Sequence, residues 1–182
     1  MLRAFANLRG LEKQDARGDG TVMADIEIKS FTAADRDWLV AQHEVLYARD
    51  EGFDGTFGPL VAGILDEFLA TNDPACEAGW IAWDGERRLG SIFCVRLDEA
   101  TAKLRLLLLV PEARGKGLGL RLLRQCMGFA KDRGYEGMQL WTHQEHRAAG
   151  ALYAKNGWEC VDERPVTSFG KHLIEQTWVI SF

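Results

Sequence analysis

A chain of 182 residues is the size of one ordinary domain and long enough to bury a sizeable core. Hydrophobic residues at 47% and charged ones at 27% match a soluble globular protein, and a net charge of −5 gives no global reason to bind nucleic acid. No apolar run approaches the roughly 18 residues of a membrane span, and the N-terminus lacks a signal peptide's apolar stretch. The four cysteines, Cys76, Cys94, Cys126 and Cys160, are far apart and form no CxxC pair. Reduced, mostly buried thiols are expected rather than a disulfide or zinc framework, which points to the cytoplasm.

Residues 1–24 read as a polar, Gly-containing tail, with Met23 an alternative start, and the domain is expected over 25–182. "IEIKSF" alternates at period two and predicts the first strand. Thr32 with Asp35 resembles a capping box opening a helix, with Trp38, Leu39, Val45 and Leu46 as its apolar stripe. "DEGFDGTFG" reads as a loop. Leu60, Val61, Ile64, Leu65, Phe68 and Leu69 recur at three and four and mark a second helix, which "TNDP" stops. "GWIAWDGERRLGSIFCVRL" predicts a hairpin turned at Asp84-Gly85. A strand over Lys103 to Val110 follows, then a glycine loop, then an amphipathic helix capped at Gly134. "GMQLWT" is a strand, His146 to Lys155 a helix ending at Asn156-Gly157, and "WECVDE" and "IEQTWVISF" are the last strands. The order predicts one α/β (α+β) domain without repeats.

The stretch "LRLLLLVPEARGKGLGLRLL" carries the chemistry. A helix N-terminus has unpaired N–H donors and partial positive charge, and glycines let a phosphate approach the backbone closely. Arg114 and Lys116 form a local cation cluster that can hold an anion. A P-loop needs GxxxxGK[ST], but Leu120 and Arg121 follow Gly119. A dinucleotide fingerprint needs a third Gly or Ala where Leu120 stands, and a strand that opens a βαβ unit. A loop that merely turns the chain needs one glycine and gains nothing from Arg114 and Lys116.

Arg114-x-x-Gly117-x-Gly119, after an apolar strand and opening a Leu-rich helix, resembles the acyl-CoA loop of the GNAT N-acetyltransferase superfamily. "ALYAKNGWE" resembles a second segment of that superfamily, with Tyr153, Gly157 and Trp158 in register. The likeness covers about residues 26–182. "KLRLLLLVPEARGKGLG", "LWTH" and "SFGKHLIEQTW" further resemble the acetyltransferase domain found fused to MarR-type regulators. The resemblance implies a mixed, twisted sheet of six to seven strands flanked by about four helices.

It also implies acetyl-CoA as co-substrate, no metal, and transfer of the acetyl group to a primary amine by direct attack. The backbone of Leu107, Leu108 and Leu109 would pair with the pantetheine arm. Gly115, Lys116, Gly117, Leu118, Gly119 and Leu120 would enclose the pyrophosphate, with charge from Arg114 and Lys116. A backbone N–H of the strand over Lys103 to Val110 would stabilise the oxyanion. Tyr153 matches the general acid, a phenol of pKa about 10 facing a leaving thiol of about 8.5. Many members carry an Asn seven residues before that tyrosine; here His146 takes this cofactor-side position, with an altered contact.

Some members carry a carboxylate base on this same strand, where this chain has Arg105 and leucines. Glu44 is the candidate base, with His43 as a neighbour that could serve. His143 and His146 lack a carboxylate partner and make a weak metal site. Trp38, Tyr47, Phe53 and Phe57 read as core or as walls of the acceptor pocket, and Asp50, Glu51 and Asp54 would suit a cationic amine. The expected partners are acetyl-CoA and an amine, with no nucleic acid or membrane; the superfamily often forms homodimers, though no interface is legible. The alternative function is a non-catalytic acyl-CoA-binding sensory or regulatory module.

Overall fold

The computed structural model describes residues 26–182. The expected tail at 1–24, with Met23, lies outside the described residues. β1 (Ile26–Ser30) leads to Asp35, whose carboxylate accepts the Thr32 N–H at 2.9 Å and the Thr32 hydroxyl at 2.8 Å. Asp35 is buried and also binds Arg88 Nε at 2.8 Å, so the cap ties the chain to a neighbouring strand. α1 (Arg36–Glu51) follows. Its buried stripe is Leu39, His43 and Leu46, while Val45 is 59% exposed. The spacing of four and three keeps one helical face, and Val45 falls off it. α2 (Phe57–Thr71) begins earlier than the loop reading of 50–58 allowed; α1 itself ends at Gly52, whose φ is 68°.

β2 (Ala78–Asp84), β3 (Arg87–Arg96) and β4 (Thr101–Leu109) form a meander. α3 (Leu118–Asp132), β5 (Gly137–His143), α4 (Arg147–Lys155), β6 (Glu159–Ser168) and β7 (Lys171–Ser181) complete the chain. The single seven-stranded sheet has the order β1-β2-β3-β4-β5-β7-β6, and only the β4–β5 pair is parallel. α1 and α2 cover one face through Leu39, Leu46, Val61 and Leu65 against Ile81, Phe93 and Leu108. α3 packs Leu118, Leu122, Leu123 and Cys126 on the other, in one cluster with Leu104, Met138, Leu140 and Tyr153. The expected sheet of six to seven strands flanked by about four helices is observed, with seven strands and four α-helices among the described residues.

Two departures from a regular sheet position the site. β4 and β5 pair only through Thr101–Lys103 against Gly137–Gln139 and then separate. Past that point the β5-facing edge of β4 lacks a strand partner. In the β3–β4 pair, Ser91 opposes Leu108 whereas Phe93 opposes Arg105, so β4 carries an extra residue there. Leu106 takes φ 51° at this bulge, and the buried Ser91 hydroxyl donates to its carbonyl at 2.7 Å. A branched residue in the left-handed region is strained, so the bulge is held by its surroundings.

The final hairpin is longer than the sequence pattern suggested. β6 runs past "WECVDE" to Ser168 and β7 starts at Lys171, around a tight turn at Phe169 (φ 53°) and Gly170 (φ 74°). β6 is an exposed edge strand carrying Pro165, so it lacks the buried alternation that marks an inner strand.

Candidate functional site

The separation of β4 from β5 opens a groove of about 570 Å³. One wall is Leu107, Leu108 and Leu109; the other is α4 with Ala148, Ala149 and Leu152, and its far end is Gly115, Gly117, Gly119 and Leu120. Gly117 caps α3 with φ 81° and no side-chain cap, so the first-turn N–H groups have neither an intrahelical acceptor nor a capping oxygen. A Cβ on Gly119 would lie 3.4 Å from both Leu109 Cδ1 and Leu152 Cδ2, which explains how this helix start fits between β4 and α4. An open strand edge beside a helix N-terminus can take up an amide-bearing chain at one end and a phosphate at the other.

Not every residue of the loop faces the groove. Leu118 is 1% exposed and anchors the helix start in the core, so only its main chain is available. Lys116 is exposed and does not line the groove. Arg114 lines it but is already held: Nη1 binds Asp50 Oδ2 at 2.8 Å and Nε donates to the Leu109 carbonyl at 3.1 Å. Arg147 and Glu145 line the groove without having been singled out in the sequence.

A second cavity of about 270 Å³ adjoins the first, and Tyr47, Leu107, His146 and Ala149 border both. Tyr153 reaches it from α4. The residue is buried, and its hydroxyl has no hydrogen-bond partner among the described residues. Burial, and then the nearby Tyr47 and Cys126, push its pKa upward, so the phenol keeps its proton at neutral pH. Three imidazoles share this cavity. His43 Nδ1 donates to the Leu39 carbonyl at 2.9 Å, which leaves Nε2 as a buried acceptor without a partner. Burial lowers its pKa to about 4, and the same cause takes His146 to about 4. His143 is lowered too, again chiefly by burial. His146 Nε2 is 3.6 Å from Glu51 Oε1, too far for a hydrogen bond, and its neutral ring forms no ion pair there.

The aromatic residues of α1 and the α1–α2 connection form one cluster. Tyr47 and Phe57 have ring centroids 4.5 Å apart, and Phe53 stacks on Phe169 of the hairpin turn at 4.8 Å. Asp54 N–H donates to the Phe169 carbonyl at 3.1 Å and Lys171 Nζ to the Glu51 carbonyl at 2.6 Å, so the hairpin tip is fastened to this connection. Trp38 lies elsewhere, packed between the two cores, with Arg88 5.8 Å from its ring.

Glu44 is exposed, lies against Gly58 and lines neither cavity; His43, one residue earlier on α1, faces the cavity instead. Two of the three acidic residues expected to meet an amine, Asp50 and Asp54, are engaged internally, while Glu51 lines the groove. Asp50 is paired with Arg49 and Arg114, and Asp54 accepts the Thr56 N–H at 3.0 Å. His143 and His146 stand 5.6 Å apart, and no group of three or more His, Cys, Asp or Glu among the described residues could hold a metal ion. Lys103, Arg105, Trp141, Phe169 and Glu175 line the cavity although the sequence had not marked them as acceptor-side. The one local signal was Phe169-Gly170, a turn dipeptide between two strand-like runs.

The profile of the acetyltransferase (GNAT) family matches residues 33–158, which takes in the bulged strand, the glycine loop and Tyr153. The chain belongs to this family. A mycothiol acetyltransferase of Clavibacter sepedonicus is 29% identical over 146 residues, 79% of this chain and 46% of that protein. The chain thus spans about half the length of the curated relatives it matches. A GNAT-family acetyltransferase from Staphylococcus aureus has the same fold at a TM-score of 0.70 and 18% identity, covering 86% of this chain and 98% of that one. Spermidine N-acetyltransferase from Vibrio cholerae, solved with CoA and spermine, superposes at a TM-score of 0.65 and 13% identity, covering 86% and 95%. Among the described residues no helix is long and apolar enough to cross a membrane.

Proposed function

We propose that this acetyltransferase moves the acetyl group of acetyl-CoA to a primary amine, on a small molecule or a protein, by direct attack. One observation carries the reading. The groove that suits a phosphate-bearing chain opens into the cavity holding the Tyr153 hydroxyl, with Leu107 on both borders. Bound acetyl-CoA supplies an activated thioester. The Leu107–Leu109 edge would hold its amide-bearing arm, while the α3 first-turn N–H groups, with Arg147, would receive the phosphates. The bulged segment of β4, Leu106 and Leu107, lines the cavity at the junction, where one of its main-chain N–H groups would meet developing negative charge on oxygen.

Tyr153 Oη, protonated at neutral pH, would pass its proton to the departing sulfur. The attacking amine must first be neutral. Its proton leaves through water or one of the neutral imidazoles His43, His143 and His146, since Glu44 lies outside the cavity. The narrower likeness to MarR-fused acetyltransferase domains, and a cytoplasmic setting for four free thiols, belong to this proposal. The test is release of free CoA thiol across a panel of amines, comparing wild type with Tyr153→Phe. Turnover that falls in the variant supports the reading. Acetyl-CoA binding without turnover on any amine would favour the non-catalytic module, and absence of binding would overturn both.

A further inference from the structure

The charges on the cavity floor are mismatched in a way the transfer chemistry does not explain. Alternation along β4 puts Lys103 and Arg105 on the α1–α2 face, opposite Val95 and Phe93 of β3. Register brings Trp141 and His143 of β5 and Glu175 of β7 to the same face. Both cations line the cavity, and neither has a carboxylate within ion-pairing distance or a hydrogen bond among the described residues. Other partly buried guanidinium groups here are paired: Arg36 with Asp66, and Arg88 with Asp35 at 2.8 Å.

Each candidate partner for these two cations is engaged or distant. Glu175, which also lines the cavity, accepts Arg164 Nε at 2.9 Å and Nη2 at 2.5 Å. Glu67, whose charge Arg105 feels and with which it lines a separate pocket, makes no ion pair with it. The three histidines are neutral. Lys103 Nζ rests only on the Trp141 ring, 3.2 Å from its centroid, and Trp141 is 51% exposed. Burial lowers the Lys103 pKa to about 8 and lowers that of Arg105, and the charges of Glu175 and Glu67 offset this only in part. Such groups are costly unless an anion reaches them.

We propose that the acceptor amine carries its own oxyacid group, a carboxylate or a phosphonate, and that Lys103 and Arg105 seat it beside Trp141. This rests on the acetyl-transfer reading for the word acceptor, but the seat itself is a binding property. A polycation would meet two like charges here, while of the acidic residues that might have welcomed it Asp50 and Asp54 are occupied and Glu51 lines the groove rather than this cavity. An amine with a free acid group brings its cationic end toward the junction and its anionic end to the floor. Its apolar part would lie against Trp141 and the aromatic cluster.

The test is calorimetric binding to the CoA-loaded protein. Methionine and phenylalanine are each offered as free acid and as carboxamide, 2-aminoethylphosphonate is offered against ethanolamine, and spermidine serves as the cationic probe. We expect an acid to bind about tenfold or more tightly than its neutral counterpart. The preference should vanish in Lys103→Gln/Arg105→Gln and survive in Lys103→Arg. Tightest binding by the amino acids identifies a carboxylate, and by 2-aminoethylphosphonate a phosphonate. Equal affinity for acid and neutral form, tighter binding of spermidine, a preference that survives the double variant, or no binding by any probe overturns the seat. Acetylation of amides and spermidine in preference to acids would overturn it while leaving acetyl transfer standing. Acid binding through Lys103 without turnover of any amine would do the reverse.

Discussion

Where the groove presents main chain, the adjoining cavity presents side chains. The groove is an open strand edge at Leu107–Leu109 and a helix start at Gly117, with Arg114 Nε donating to the Leu109 carbonyl beside them. The cavity is three neutral imidazoles, a protonated phenol, two unpaired cations and a cluster of aromatic rings. Peptide groups are the same in every sequence, so a cofactor handled by them tolerates wide change in side chains. A cavity built from side chains alters with each substitution. One fold can therefore keep a constant donor and exchange acceptors.

The largest expected effect strikes the groove. Gly117→Glu puts a side chain at φ 81° and a carboxylate at the helix start, and acetyl-CoA affinity should fall on the order of a hundredfold. Isothermal titration checks it, with circular dichroism to verify folding. An unchanged affinity would break the account of the groove. Tyr153→Phe, on the cavity side, should reduce kcat on the order of tenfold to a hundredfold while acetyl-CoA affinity stays within about twofold. If affinity fell along with kcat, the two regions would not be separable.

Most of the groove was legible because its determinants are local. A strand ended by Pro111, glycines at left-handed positions and a Leu-rich helix start all lie within one short stretch. The cavity was not, because strand register assembles it. Lys103 and Trp141 belong to different strands, and Glu175 and Phe169 come from a hairpin whose edge strand hides its own pattern. Helix phase explains the misreading of α1. His43 sits four residues after Leu39 on the buried face, and Glu44, one step around, points to solvent. Counting histidine with the apolar stripe would have found it. The acidic segment misled for another reason: charge in a sequence does not reveal that Asp50 is already paired.

The buried imidazole of His43, which lines the cavity and not the groove, gives that region a pH signature. The ordinary histidine pKa is 6.5, and that of folded His43 is about 4. Between these values the unfolded chain binds the extra proton, so the stabilisation is complete above pH 6.5 and is lost as the pH falls toward 4. The amount is about 3 kcal/mol for one such histidine. Denaturant midpoints measured across this window should drop less steeply in His43→Gln than in wild type, and identical slopes would contradict a neutral buried ring. The smallest effects are expected where side chains miss both regions. Lys116→Ala should change acetyl-CoA affinity, and Glu44→Gln the turnover, by less than about threefold, within the range of exposed substitutions. A large loss in Glu44→Gln would return a carboxylate base to α1.

The fastening of the hairpin tip sets an order of assembly. Every residue that lines the groove, from Leu46 in α1 onward, lies at or before Leu152 in α4. The contact of Lys171 with Glu51 joins positions 120 residues apart. Closing so long a loop costs entropy that the contact itself cannot recover until most of the sheet exists. During synthesis, a chain that has emerged only through α4 contains every residue that lines the groove but lacks Ser168, Phe169 and Glu175 of the cavity. The residues of the groove are thus all made before the last residues of the cavity.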